Sequence, residues 1–271
     1  MSYEVLLATI KVQVKGGNFS VAERAEMYAS TLRYYAQTIG KSHPILFLEN
    51  SDFDLSDFKQ QFSHLLDIEW IQLLPSDNIP WNPQKGKGFN EYLMIKEGLM
   101  RSQKIKDCSH FLKITGRYAM VNIRTMIREI ERRGANLYFM GDIKDTNLYE
   151  RIGRTSFGHW GDSRFWVSSV KFYSENMMNC YMEMDDSREG MWAEHYMLRM
   201  ARSLKHDSKF SWRFRNQVRF NGIAGMLTSR DLASGKYRQD SFSNRVKGEL
   251  RHILRLLFPS GGFRVEMPTL Y

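Results

Sequence analysis

The sequence is poor in cysteine, in long apolar runs and in targeting signals, and each shortage excludes a class of protein. Its two cysteines, Cys108 and Cys180, form no Cys-x-x-Cys pair, which excludes a disulfide scaffold and favours two free thiols in a reducing cytoplasm. No apolar run approaches the roughly 18 residues of a membrane-spanning helix. The opening MSYEVLLATIKVQ lacks a basic segment and a cleavage site, so it predicts a first core strand rather than a signal peptide.

What the sequence does have is positive charge. The 271 residues are 42% hydrophobic and 25% charged, which predicts a folded domain with a sizeable core, and the net charge is +9. The positive charge is concentrated in the second half, above all from Arg199 onward. A nucleic acid, an anionic membrane or a phosphate-rich substrate would each explain it, and so would a solvated basic surface.

Apolar patterns predict an α/β architecture. In the first third, short β-branched runs alternate with amphipathic segments, which indicates parallel strands connected by helices. Predicted strands there are EVLLATIKV, PILFLEN and IEWIQLL, and predicted helices are SVAERAEMYASTLRYYAQTIG, capped by Ser20 and ended by Gly40, and DLSDFKQQFSHLL.

The same reasoning extends to the rest of the chain. The predicted strands are HFLKI, NLYFMGD and DSRFWVSS. The predicted helices are a segment from Phe89 to about Gln103, VNIRTMIREIERRG, VKFYSENMMNCYMEM and GMWAEHYMLRMARSL. DTNLYERIGRTSFGHWG is polar, aromatic and spaced by glycines, which is typical of a functional loop.

A compact basic turn stands before one of these helices. Lys85, Lys87 and Gly88 precede a helix start, where free backbone N–H groups and the helix dipole favour an anion. The turn matches neither the phosphate-loop pattern nor the dinucleotide pattern. It therefore indicates either an anion site or a solvated basic turn.

Polar residues also follow the predicted strands, where α/β proteins bind ligands. Arg117, just beyond HFLKI, could hold a phosphate or carboxylate with two donors. Lys113 and Thr115 point to the same face of that strand, and a lysine inside an apolar strand needs a partner or a ligand. Strand ends are commonly polar for structural reasons, so the pattern alone leaves that alternative open.

Three further residues are candidates for chemistry. Asp162 and Arg164 flank a serine at the start of a strand. Glu194 lies on a predicted helix beside aromatic residues, an arrangement suited to a general base, although it could equally be a surface or capping glutamate. The acidic MEMDD segment could bind a divalent cation but is more typical of a helix end. The histidines show no metal-ligand spacing.

Four segments together carry a family resemblance. In chain order they are KGKGFNEYLMIKEGL, HFLKITGRY, DSRFWVSSVKFY and AEHYMLR. Together they resemble bacterial glycosyltransferases of GT-A architecture that build capsule or lipopolysaccharide chains and carry a Lys-x-x-Gly-Arg-Tyr motif. The resemblance spans roughly residues 3 to 240. It implies a mixed α/β sheet with helices on both faces and a Rossmann-like N-terminal half that binds a nucleotide.

The resemblance also implies site roles. Glu49 would lie near the base and ribose, Lys85, Lys87 and Arg117 near the diphosphate, and Glu194 would deprotonate an acceptor hydroxyl. The predicted donor-binding set is Glu49, Lys85, Lys87, Gly88, Lys113, Thr115, Gly116, Arg117 and Arg164, and the predicted catalytic pair is Glu194 with Asp162.

Metal use is where the sequence departs from the family. Metal-dependent members carry Asp-x-Asp, whereas the nearest equivalent here is Asp162-Ser163-Arg164. Either Asp162 alone holds Mn²⁺ or Mg²⁺, or cationic side chains neutralise the leaving diphosphate.

We expect a UDP-linked donor, a glycan or lipid-linked acceptor, inversion of configuration and no nucleic-acid partner. The alternatives are a basic nucleic-acid-binding protein or nucleotidyltransferase, and a non-catalytic scaffold.

Residues 241–271 change in character and are predicted to form a basic amphipathic helix and tail after the 1–240 domain. In NRVKGELRHILRLLF, apolar residues recur at helical spacing beside a face with Lys247, Arg251 and Arg255. Such a helix can lie on the anionic inner face of the cytoplasmic membrane or pack its apolar stripe on the domain, and we expect peripheral, salt-sensitive membrane association.

Overall fold

The computed structural model describes residues 3–10, 19–145, 159–187, 190–221 and 241–257, and these residues form a mixed α/β fold. The strands are β1 (Tyr3–Ile10), β2 (Ile45–Glu49), β3 (Ile68–Gln72), β4 (Cys108–Thr115), β5 (Ala119–Met120), β6 (Phe139–Met140), β7 (Ile143–Asp145), β8 (His159–Gly161), β9 (Phe165–Ser169), β10 (Phe210–Ser211) and β11 (Phe220–Asn221). The longer helices are α1 (Val21–Thr38), α2 (Ser56–Phe62), α3 (Gly86–Arg101), α4 (Ile123–Arg133), α5 (Ala193–Leu204) and α6 (Phe242–Leu257).

Seven strands build the main sheet in the order β10-β6-β9-β4-β1-β2-β3. β1 is parallel to both β2 and β4, and β2 is parallel to β3. β9 runs antiparallel to its neighbours β4 and β6. The predicted mixed sheet is therefore confirmed, and the start of β9 lies at the same sheet edge as the end of β4.

Strand alternation divides the core into two layers, one on each face of the sheet. On β2, Leu46 and Leu48 pack in the layer that contains α3, whereas Ile45 and Phe47 pack in the layer that contains α1, α2 and α4. Helices therefore cover both faces of the sheet, as predicted, and both layers are rich in buried aromatic residues.

Most predicted helices have the expected ends. α1 begins with a capping box in which Ser20 and Glu23 satisfy each other's backbone groups, and it closes at Gly40, whose φ is +53°. α3 begins at Gly86, three residues before the predicted start.

Two predictions were wrong in part. VKFYSENMMNCYMEM is not one α-helix: it forms a helical turn (Val170–Phe172), a π-turn (Tyr173–Met177) and a 3-10 turn (Cys180–Glu183). Most of its apolar residues are buried, although Met182 is exposed, and such a pattern does not distinguish α from π or 3-10 hydrogen bonding. The predicted loop from Asp145 to Gly161 has strands at both ends, since β7 pairs with β8, and residues 146–158 lie outside the described part.

Candidate functional site

Four elements meet at the carboxyl end of β4. Lys113 Nζ lies 2.7 Å from Glu91 Oε1 on α3 and donates to the carbonyl oxygen of Ser163 at 2.6 Å. The Thr115 N–H donates to the carbonyl oxygen of Arg164 at 2.8 Å. Ser163 Oγ donates to Glu194 Oε1 on α5 at 2.6 Å. The strand ends, α3 and α5 are therefore joined by polar contacts at the edge where the sequence predicts a site.

Lys113 is the hub of these contacts. Its side chain is 0% exposed, and besides Glu91 and Ser163 it reaches Thr115 Oγ1 at 3.3 Å. Strand alternation turns Lys113 to the α3 face, away from Leu112 and Ile114. The partner that a buried lysine requires is thus Glu91, which the sequence analysis did not single out. The predicted contact of Lys113 with a donor stays a prediction.

Asp162 and Arg164 form a buried ion pair. Arg164 Nε donates to Asp162 Oδ1 at 2.8 Å, and a second guanidinium nitrogen contacts Oδ2. Asp162 is 1% exposed and also accepts from the Arg164 backbone N–H at 3.1 Å. Both carboxylate oxygens therefore face arginine donors, an arrangement that suits a structural pair and not an open chelate.

A divalent metal fits poorly with these donors. Within the described ranges, no group of three or more His, Cys, Asp or Glu side chains is arranged to hold a metal ion. Asp162, the predicted candidate, already has Arg164 against both oxygens, and the nearby Glu91 has Lys113.

Glu194 lies in the first turn of α5, where the helix dipole favours a negative charge. The half-buried carboxylate accepts a hydrogen bond from Ser163 and so has a fixed position above the start of β9. Next to it, the rings of Trp192 and His195 stack with centroids 5.5 Å apart, and Trp192 is exposed. A held carboxylate beside an exposed aromatic surface can accept a proton from a hydroxyl bound there.

The basic turn before α3 does face an anion, and that anion is a side chain of the chain itself. Asp186 Oδ2 accepts from the backbone N–H of Gly88 at 3.0 Å and from that of Lys87. Lys85 Nζ lies 3.6 Å from Asp185 Oδ2. The acidic segment that was interpreted as a helix end or a cation site thus caps α3.

Glycine is required in this turn. Gly86 has φ +80°, and a Cβ atom there would lie 2.4 Å from Asp186 Cβ. Both the left-handed backbone and the close approach of Asp186 exclude a larger side chain.

Three cations form a second feature of the site: Arg24 in the first turn of α1, Lys87 in the first turn of α3 and Arg117 after β4. We call them the cation cluster. Loss of hydration lowers the pKa of Lys87 and the charge of Arg117 lowers it further; Glu91 opposes this, and Arg24 makes a smaller lowering contribution. Burial likewise lowers the pKa of Arg24, which is 7% exposed, and Arg117 adds to the effect.

The contacts of Arg117 leave one donor group without a partner. Its guanidinium lies over the Tyr118 ring, with its carbon 5.5 Å from the centroid. One terminal nitrogen is buried and has no hydrogen-bond partner in the part of the chain that the structure describes. Arg24, in the first turn of α1, was missed by the sequence analysis.

The end of β2 contributes the remaining predicted residue. Glu49 is fully buried and accepts from the Ser51 backbone N–H at 2.8 Å and from the Ser51 hydroxyl. Next to it, Asn50 Oδ1 is buried without a hydrogen-bond partner among the described residues. Glu49 therefore shapes the turn, and its predicted contact with a nucleoside stays a prediction.

Outside this edge, α6 turns its polar side to the domain. Arg219 binds Glu249 at 2.6 Å, and His252 Nε2 lies 2.9 Å from the Arg215 carbonyl oxygen. The apolar side faces outward: five of its residues are 47% to 60% exposed, namely Val246, Leu250, Ile253, Leu254 and Leu257. These residues therefore do not pack on the described part of the domain, and the expected membrane association stays a prediction.

No protein-family model matches this chain, and no curated protein matches it in sequence. Among solved structures, it is similar to core-mannan synthase A of Aspergillus fumigatus in a Mn/GDP form, with 12% identity, a TM-score of 0.50 and coverage of 93% of this chain and 86% of that one. The fold is GT-A-like.

Two other solved structures share a weaker likeness. Mouse xyloside xylosyltransferase 1 is 9% identical, with a TM-score of 0.43 and coverage of 78% of this chain and 84% of that one. The glycosyltransferase GlyE of Streptococcus pneumoniae is 11% identical, with a TM-score of 0.46 and coverage of 78% and 45%.

Proposed function

We propose that this protein is a glycosyltransferase that moves a sugar from a nucleoside-diphosphate donor, UDP-linked, to a glycan or lipid-linked acceptor in bacterial surface polysaccharide synthesis. The observation that carries the proposal is the placement of the cation cluster and the Glu194 carboxylate around the same end of β4. Cations suit a diphosphate leaving group, and a held carboxylate suits proton removal from an acceptor. The GT-A-like fold supports this interpretation, and core-mannan synthase A has been solved with Mn and GDP.

The proposed reaction is a displacement at the anomeric carbon. The acceptor oxygen forms a bond to that carbon as the bond to the diphosphate oxygen breaks, and the departing electron pair stays on the nucleoside diphosphate. Glu194 takes the hydroxyl proton. A single carboxylate on the acceptor side favours inversion, because attack and departure then occur on opposite faces of the sugar.

Calorimetry with UDP-, GDP-, CDP- and CMP-linked sugars tests the proposal. We expect one of the diphosphate-linked sugars to bind. No detectable binding to any of these donors, together with tight binding to a DNA or RNA oligomer, would favour the nucleic-acid alternative.

The described surface argues against that alternative. Several exposed cations have acidic neighbours and so contribute little to a continuous basic stripe. Examples are Arg33 with Glu26, Arg101 with Asp77, Arg199 with Glu183 and Arg202 with Asp145.

We further propose that α6 attaches the enzyme to the inner face of the cytoplasmic membrane. The outward apolar stripe has the form of an interfacial helix, and Arg245 and Lys247 supply charge that would attract anionic lipid. No helix in the described part of the chain is long and apolar enough to cross a membrane. A lipid-linked acceptor would be presented at that surface.

A further inference from the structure

The cation cluster offers a way to stabilise the diphosphate leaving group without a divalent metal. We propose that Arg24, Lys87 and Arg117 bind the diphosphate of the donor and replace the divalent ion that this fold commonly uses, with Arg24 as a diphosphate-binding residue. The inference rests on the proposed function and adds to it how the leaving group is stabilised.

The three cations lie on elements that meet beyond the end of β4. The contact between Glu91 and Lys113 fixes α3 against the end of β4. Lys87 is one helical turn before Glu91 and thus on the same face of α3, which places it beyond the strand end. Arg117 follows β4 by two residues. Arg24 starts α1 after β1, the parallel neighbour of β4.

Electrostatic repulsion acts between the three cations. Like charges brought together at a partly buried site destabilise the free protein, because each disfavours ionisation of the others. The charge of Arg117 lowers the pKa of both Arg24 and Lys87, and the charge of Arg24 lowers that of Lys87, which are effects of that repulsion. A dianionic group between them would remove the repulsion, and the buried Arg117 nitrogen without a partner would gain an acceptor.

The nearby carboxylates that could otherwise hold a metal already have partners within the protein. Asp162 is bound on both oxygens by Arg164, Glu91 is bound by Lys113, and Asp186 caps α3. A metal would have to displace a buried cation or a helix cap. Because these carboxylates are already bound, the described residues favour direct binding of an anion to the side-chain cations over binding through a metal.

Calorimetry with UDP and GDP, and with UMP and GMP, tests the proposal in EDTA and in MnCl₂. In EDTA, we expect UDP or GDP to bind at least about tenfold more tightly than its monophosphate, because the additional phosphate gains charge-assisted hydrogen bonds. Addition of Mn²⁺ should change this affinity by less than about twofold.

Variants separate a ligand site from a structural cluster. Lys87→Met, Arg117→Met and Arg24→Met should each weaken diphosphate binding about tenfold or more and monophosphate binding less. Lys41→Met, at an exposed position near the far end of α1, is the control. Because Lys87 lies at an exposed position, Lys87→Met should fold and keeps the test valid if Arg24→Met does not.

Several outcomes would overturn the inference. Diphosphate binding that needs Mn²⁺ would refute metal-free recognition and leave the proposed function standing. Wild-type affinity in folded Lys87→Met and Arg117→Met would remove the cluster from the site. Binding of neither UDP nor GDP, with or without Mn²⁺, would refute the inference, and the proposed function would fall with it only if none of the nucleotide sugars binds either.

Discussion

Glu194 and Lys113 were both selected as site residues from the sequence, but the structure gives them different surroundings. Glu194 is half-buried at the start of α5 with a serine hydroxyl bound to it. Lys113 is fully enclosed, and its neighbours are acceptors of the protein itself. At the scale of single residues, one group can meet a ligand directly and the other supports the groups around it.

Replacing Glu194 by glutamine should leave the fold and donor binding intact and remove most of the sugar transfer. General-base catalysis typically contributes about 10²–10⁴-fold to a rate. The measurement is turnover with a bound donor and its acceptor, with Glu183→Gln as the matched control on the exposed surface. Near-native turnover would remove Glu194 from the mechanism and leave Asp162 as the next candidate.

Replacing Glu91 by alanine should destabilise the protein, because the Lys113 ammonium would remain buried without its carboxylate. Removing one partner of a buried pair is costly, and since Glu91 keeps part of its side chain in water we expect a loss on the order of 2–3 kcal/mol in the free energy of unfolding. Urea denaturation measures it, and Glu97→Ala on the same helix is the control. A loss below that of the control would mean that the ammonium is satisfied without Glu91.

The sequence could indicate that Lys113 needs a partner but not which one. Its partner lies on a helix 22 residues earlier in the chain, and only the packing of α3 on the sheet selects Glu91. Arg24 was overlooked for a related reason: a cation in the first turn of an amphipathic helix has the pattern of an ordinary surface residue. Its burial depends on elements that are distant in sequence.

At the scale of elements, the start of α3 shows how a local pattern can be interpreted correctly and still be incomplete. Glycines and lysines before a helix predicted an anion, and an anion is there. Its source, Asp186, lies 98 residues away, so the pattern could not show that the ligand of the backbone N–H groups is internal.

Gly86→Ala should lower the melting temperature more than Gly134→Ala does. Both glycines have positive φ, so alanine strains the backbone at each, but only at Gly86 would the new methyl group collide with Asp186. No atom lies within 4 Å of the corresponding position at Gly134. Thermal unfolding of the two variants isolates the cost of the collision. Equal shifts would show that the 185–187 segment moves aside freely.

For α6, the helical pattern predicted the element, and the direction of its apolar face came only from the structure. Arg219 and the Arg215 carbonyl bind its polar side, so the apolar stripe is left outside. Full-length protein should sediment with anionic liposomes and not with neutral ones, and salt should weaken the binding.

Two variants test the membrane contact. A chain ending at Gln239 and the full-length Leu250→Glu variant should both lose liposome binding, the latter without loss of fold because Leu250 is exposed. Equal sedimentation of all three proteins, or no preference for anionic lipid, would contradict the proposal. Unfolding of the truncated chain would show that α6 is required by the domain, and Leu250→Glu would then decide.

At the scale of the whole molecule, the buried His110 and the partly buried His43 make stability depend on pH. Burial lowers the pKa of His110, whose ring is held between the Ser109 hydroxyl (2.9 Å) and the Leu137 carbonyl (2.7 Å). Loss of hydration also lowers the pKa of His43. The unfolded chain therefore takes up protons at a pH where the folded protein does not, and stability falls as the pH drops below about 6.5.

His110→Gln should reduce this dependence. The slope for one proton is at most about 1.4 kcal/mol per pH unit, and the variant loses the contribution of His110 to it. Unfolding free energies at pH 7.5 and 5.5 give the comparison, with His64→Gln, at an exposed position, as the control. If His110→Gln keeps the full wild-type difference between the two pH values, His110 is protonated in the folded state.

The pairing of β1 with β4 has a consequence for the order in which the chain folds. These central strands are separated by about a hundred residues. The two strands can pair only after the long intervening segment brings its ends together, and such non-local pairings form slowly. On the ribosome, β2 and β3 emerge soon after β1, whereas Glu194 emerges some eighty residues after β4. A nascent chain arrested before α5 would hold the parallel half of the sheet and the three cations, but not the carboxylate.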